Sequence, residues 1–243
     1  MVEPDTAVLT GARPRVAAFV VLGAAVGTWF VVAPHLSPVG LWATVASVAA
    51  GVLPATLGLV FVVLPLWSSR WTLPAAVVLA LVAFGCEEAG WGLAANFAKL
   101  WAAVFAGWAF LRIFEELSWV VLIAVIIPFV DAFSVWRGPT HAITTHHFEI
   151  YTSVAVAFLA PGGLSADLGP PDILFYALFL AAAVRWRLRP GWTWIGMTGM
   201  YSLTLVIANA ASVSGLPALP FLSFGFLLPN ADLLWRRLRK RPA

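Results

Sequence analysis

Asp131 and Asp172 are the residues of this chain whose type and placement most demand a chemical reason. Each stands at an end of an apolar run long enough to cross a bilayer, where an ionisable side chain costs roughly 2.5–3.5 kcal/mol or more to insert. Two carboxyls a few ångströms apart cannot both ionise, so the pair holds one proton in common. Its ionised member can take a proton from water, and its protonated member can give one to a carbonyl oxygen or a leaving amine. The titration belongs to the pair, so neither aspartate has a fixed role. Taken singly, each has a plainer account. Asp131 would be a helix-end residue near the interface, and Asp172, which follows Pro170-Pro171, an acidic residue at a helix start.

Elements able to hold such a pair follow from composition. With 62% hydrophobic and 10% charged residues and a mean hydropathy of +0.94, the chain is not a soluble globule, where about a quarter of residues carry charge. The expected architecture is all-α, a polytopic transmembrane helical bundle, with no room for a separate soluble domain. Measured against the ~20 residues that span a bilayer, the apolar stretches fall at 16–33, 39–66, 72–86, 92–111, 117–135, 172–187, 192–211 and 216–235. The second is over-long and carries Pro54, which predicts a kink, a strong tilt or two pieces. The first follows Arg13 and Arg15 as a signal peptide would, but Pro34 is a poor cleavage context and a retained helix is expected.

Charge orients these stretches. A cytoplasmic N-terminus puts Arg70, Arg112, Arg185, Arg187, Arg189 and the Arg236–Arg241 tail inside, while the Glu87-Glu88 turn and the loop 136–171 fall outside. The tail then anchors to the membrane surface rather than to nucleic acid. From the predicted cytoplasmic face, Asp131 lies about 14 residues into its helix and Asp172 about 13 into its own, each roughly 20 Å deep at 1.5 Å per residue. Antiparallel neighbours would carry both carboxyls at one level.

A third element opens the last stretch: Leu216-Pro217-Ala218-Leu219-Pro220. An aspartate late in one helix (Phe129-Val130-Asp131), a second helix opened by Gly169-Pro170-Pro171-Asp172, and then Pro217-Ala218-Leu219 resemble the presenilin and signal peptide peptidase family of intramembrane aspartyl proteases. The neighbours Asp172-Ile173-Leu174-Phe175-Tyr176 and Trp136-Arg137-Gly138-Pro139 look like the family too. The resemblance covers roughly residues 117–235. It divides the chain into scaffold helices (1–116) and a catalytic part (117–243).

That likeness implies catalytic Asp131 and Asp172, with Gly169, Pro217, Ala218 and Leu219 shaping the substrate site and no cofactor or metal. Transmembrane peptides or proteins would be the substrates, the lipid bilayer the surrounding partner, and the family's helix count nine. Val130 replaces the family's usual tyrosine, and Pro171 its usual glycine. Proline fixes φ and removes an N–H, which would alter substrate preference or mark an inactive relative. The predicted orientation is that of signal peptide peptidase, so signal peptides or type II anchors would be cut in the cell membrane, here of a prokaryote with Arg-, Ala- and Trp-rich composition. A proton-coupled transporter or channel, using the same aspartates as a relay, is the alternative.

Around this site, the prolines at 217 and 220 free backbone groups to which an unwound substrate could pair by strand addition. The loop 138–171, with Pro161 and Gly162-Gly163, is a candidate gate or pairing element. Other constellations are weaker. His141, His146, His147 and Glu149 could be a metal site but lack the H-E-x-x-H spacing. Gly163-Leu164-Ser165-Ala166 lacks the second glycine of a rhomboid serine motif. Glu87-Glu88 and Glu115-Glu116 lack the arginine of the glutamate-pair membrane proteases. Lys99 is expected to snorkel, the 13 tryptophans to form interfacial belts, and the single cysteine, Cys86, excludes an internal disulfide.

Overall fold

In hydrocarbon no water is present to bond a free N–H or C=O, so an apolar chain pairs them within helices. The computed structural model is accordingly an all-α bundle; it describes residues 6–138, 148–213 and 216–239. In chain order come α1 (Thr6–Val32), then α2 (Leu41–Ser47) and α3 (Leu53–Val62) joined by a π-helical turn, α4 (Thr72–Glu88), α5 (Gly92–Phe110) and α6 (Leu117–Arg137). There follow α7 (Phe148–Val154), strands β1 (Val156–Leu159) and β2 (Ser165–Leu168), α8 (Pro170–Arg185), α9 (Pro190–Ala210), α10 (Leu219–Leu227) and α11 (Ala231–Arg239). Every apolar stretch expected from hydropathy holds a helix. Four of them, Pro14–His35, Leu41–Val62, Gly92–Ile113 and Leu117–Arg137, are long and apolar enough to cross a membrane, which marks a membrane protein.

Three expectations are refined or corrected. The stretch 39–66 is one rod up to Val62, whose π-helical turn Val48–Val52 widens the backbone just before Pro54. Proline there has no N–H to give Ala50, and the wider turn absorbs the loss. Ser202 donates its hydroxyl to the Ala49 carbonyl at 2.6 Å.

The stretch 216–235 is not a single helix. It breaks at Pro229-Asn230, where the buried Asn230 amide accepts the Arg189 N–H (3.0 Å) and donates to the Thr193 hydroxyl (2.8 Å) and the Phe226 carbonyl (2.8 Å). Beyond it α11 is amphipathic, with Leu234 buried and Trp235, Arg236, Arg237 and Arg239 exposed. The expected loop 138–171 carries α7 and a β-hairpin.

At the centre stands α8, where every residue from Tyr176 to Ala183 is at 0% exposure. Small residues let its neighbours approach to backbone contact, as membrane helices do. A Cβ on Gly107 of α5 would overlap the Leu174 carbonyl oxygen and lie 3.1 Å from the Ala177 Cβ. In the same way α9 meets α10: a Cβ on Gly196 would be 2.5 Å from the Gly225 oxygen, and one on Gly225 would be 2.6 Å from the Met197 Cα. Phe179 and Phe226 stack at 4.8 Å between α8 and α10. Because α5 precedes residue 117 and α8 follows it, a single hydrophobic core runs through both parts of the chain.

Candidate functional site

Asp172 is held by its own helix start. Pro170 and Pro171 fill the first two positions of α8, where a missing N–H costs nothing. Asp172, third in the helix, reaches back so that its Oδ2 accepts the Gly169 N–H at 2.9 Å, half of a capping box. Gly169 is buried, and a Cβ there would come 3.4 Å from that same oxygen. From α9, the buried Tyr201 donates its hydroxyl to the Asp172 carbonyl at 2.9 Å. Tyr201 in turn stacks on Tyr176 at 6.0 Å, and the Tyr176 and Thr198 hydroxyls meet at 2.9 Å. The plain helix-start account of Asp172 is thus correct as far as it goes. Pro171, exposed at the second position of α8, fits that start without leaving a donor unpaired.

Asp131 is held from far away. It lies three residues after Pro128, which has no N–H for the Ala124 carbonyl and so loosens α6 one turn earlier. Its Oδ2 accepts the Leu219 N–H at 3.0 Å, across 88 residues of sequence. Leu219 is the first residue of α10, where N–H groups have no partner inside the helix and a carboxylate is a favourable acceptor. Pro220 lacks an N–H, leaving Leu219 to supply the donor, while Pro217, Ala218 and Leu219 are all buried. The Ala218 carbonyl accepts the Leu222 N–H at 3.0 Å and so begins the helix.

Both aspartates are half-buried, and their helices are in direct contact. Each ties its Oδ2 to a backbone N–H at a helix start. Among the described residues neither Oδ1 has a hydrogen-bond partner. Gly169, Pro217, Ala218 and Leu219 all belong to this one constellation, with Gly169 and Leu219 bonding the aspartates themselves.

The hairpin runs straight into it, since Leu168 ends β2 and Gly169 caps α8. Antiparallel pairing joins Val156 to Leu168, Ala157 to Asp167, Phe158 to Ala166 and Leu159 to Ser165. Its turn carries Gly162 at φ +81° and Gly163 at φ +75°, left-handed backbone suited to glycine. On the far side of β1 the Asn96 side chain acts as a third strand, donating to the Ala157 carbonyl (3.0 Å) and accepting its N–H (2.7 Å). Trp29 donates to the Leu159 carbonyl at 2.8 Å. Beside the sheet, burial pushes the Asp167 carboxyl above the usual carboxylate range, opposed by a Ser165 hydrogen bond and by the Lys99 charge.

Sequence reasoning missed Asn96, Tyr151, Asp167 and Tyr201. Only Asn96, which with Lys99 interrupts an otherwise apolar helix, carries a signal in the sequence. Of the weaker constellations, Lys99 pairs with Glu87 at 2.8 Å rather than reaching for solvent alone. Glu116 accepts the Ser118 hydroxyl at 3.0 Å. His141, His146 and His147 lie outside the described residues, as do Lys240 and Arg241 of the tail. No group of three or more His, Cys, Asp or Glu among the described residues is placed to hold a metal ion. Compared with known proteins, the chain matches no family model, no curated protein and no solved structure.

Proposed function

We propose that this chain is an intramembrane aspartyl endopeptidase of the presenilin and signal peptide peptidase type. The observation that carries the reading is the matched fixing of two aspartates on helices in direct contact: each has one carboxylate oxygen bound to a helix-start N–H and, among the described residues, the other without a hydrogen-bond partner. Water between the two Oδ1 atoms loses a proton to the ionised aspartate as its oxygen bonds to the peptide carbon, and the protonated aspartate gives its proton to the carbonyl oxygen. One acid then reclaims a proton from the resulting diol while the other protonates the nitrogen. The C–N bond breaks, leaving a carboxylic acid and an amine with the pair restored. No metal or cofactor enters this sequence.

A helix shields its own peptide bonds, so substrates must unwind before attack, and the hairpin beside Asp172 offers an edge for the unwound segment. With both termini cytoplasmic in a prokaryotic cell membrane, the substrates are helices with cytoplasmic N-termini, such as spent signal peptides or type II anchors. Asp131→Asn and Asp172→Asn each lower cleavage of a signal-peptide substrate by at least about 100-fold while the purified protein stays folded. A hydroxyl-bearing transition-state mimic inhibits the parent protein. Proton flux in liposomes with no cleavage product would replace this reading with that of a proton-coupled transporter, and peptide binding with neither would leave an inactive relative.

A further inference from the structure

The alternation of the hairpin fixes which backbone groups face outward. Ala160 donates to the Leu164 carbonyl at 2.8 Å, so residues 158 and 166, and then 156 and 168, are the mutually bonded pairs. Ala157 and Leu159 must then turn their N–H and C=O away from β2, which is where Asn96 and Trp29 meet them. By the same count Ser165 and Asp167 turn theirs away from β1. The inner edge of the sheet is closed by side chains, and among the described residues no third strand pairs with the outer one. On that outer edge the Asp167 carbonyl is occupied: the Tyr151 hydroxyl donates to it at 3.3 Å. Tyr151 belongs to α7, which runs through Ala155 directly into β1, so its position is tied to the hairpin it covers.

We infer that Tyr151 is an access residue, its hydroxyl standing on the Asp167 carbonyl where the first N–H of an extended substrate segment would bond, so that pairing requires it to leave. The inference rests on the proteolytic reading for its substrate, an unwound stretch of transmembrane helix. Its partner is recognised by backbone alone, an N–H and C=O spaced to meet Asp167, five residues before Asp172.

The test uses the full chain in nanodiscs in the Asp131→Asn background, where hydrolysis does not interfere, and a fluorescein-labelled signal peptide. Tyr151→Phe keeps the ring and removes the competing hydroxyl, and Tyr151→Leu removes both. Each is expected to tighten peptide binding by roughly two- to ten-fold, the worth of one net hydrogen bond, with the melting temperature of the Phe variant unchanged. A peptide N-methylated through its central segment shows no such gain. Binding that is unchanged, weaker or absent in both variants, or a gain that survives N-methylation, overturns the inference. Failure of the parent protein to cleave any peptide removes the proteolytic reading instead and leaves this binding result standing.

Discussion

Of the two helices that carry the aspartates, α8 is sealed in the core, whereas α6 buries only Leu117, Val120 and Ala124, all ahead of Asp131. Beyond Ala124, α6 turns Phe129 (74% exposed), Phe133 and Trp136 outward to where lipid would lie. Asp172 therefore has one position, set by a cap three residues away and a tyrosine behind it. Asp131 has whatever position the seating of α6 on α10 allows, and the Leu219 N–H is the bond that sets it.

The sharpest break in that contrast comes from size. Gly107→Leu drives a side chain into the Leu174 backbone and should destabilise by about 3 kcal/mol, whereas Val125→Leu on the exposed face of α6 should stay within about 0.5 kcal/mol. Unfolding of both in mixed detergent makes the comparison, and equal effects would show α8 to be no more constrained than α6.

Next come the carboxylates. Asp131→Ala leaves the Leu219 N–H without an acceptor and should cost about 1–3 kcal/mol, read as faster amide exchange at the start of α10 with α8 unaffected. Asp172→Ala, the loss of a local cap, should cost about 1 kcal/mol, with faster exchange confined to the first turn of α8. Tyr201→Phe removes a single hydroxyl bond from the Asp172 carbonyl while the ring remains on Tyr176, a loss of roughly 1 kcal/mol measurable by the same unfolding assay.

The smallest effect lies far from the pair. Hydrogen bonds from Arg189 at 2.6 and 2.8 Å hold the Asp232 carboxyl below the usual carboxylate range. A folded value under the unfolded one, about 3.9, gives stability present above that pH and lost as pH falls through the folded value. The exposed pair should therefore add a slight acid dependence to thermal stability below about pH 4, absent in Asp232→Asn and screened by salt. A difference that persists at neutral pH and high salt would mean that Asp232 acts by packing instead.

What could be read in advance divides along the same line as the helices. The Pro170-Pro171-Asp172 start is local chemistry, and its cap lies within the four residues that name it. The break at Pro229-Asn230 falls inside a stretch that hydropathy reads as one helix, and only the meeting with Thr193 and Arg189 shows why a buried amide belongs there. Gly162-Gly163 signals a turn, but the Ser165-Ala166-Asp167-Leu168 strand after it is short and half polar, and it becomes a strand only by pairing with Val156–Leu159. Nothing in the neighbourhood of Asn96 announces Ala157 as its partner, because that pair exists only once α5 and β1 are side by side.

Sequence by itself determined that this is a membrane bundle of apolar helices, that Asp172 begins one of them, and that Asp131 lies late in another. These follow from hydropathy and from proline and aspartate acting on their nearest neighbours. Tertiary structure alone decided that Pro217-Ala218-Leu219 lends its N–H to Asp131, that Asn96 closes one edge of the sheet, and that Tyr151 covers the other. Hydrogen bonds between segments dozens of residues apart depend on which helix faces meet, and glycines such as Gly107 and Gly196 settle that by letting backbones touch.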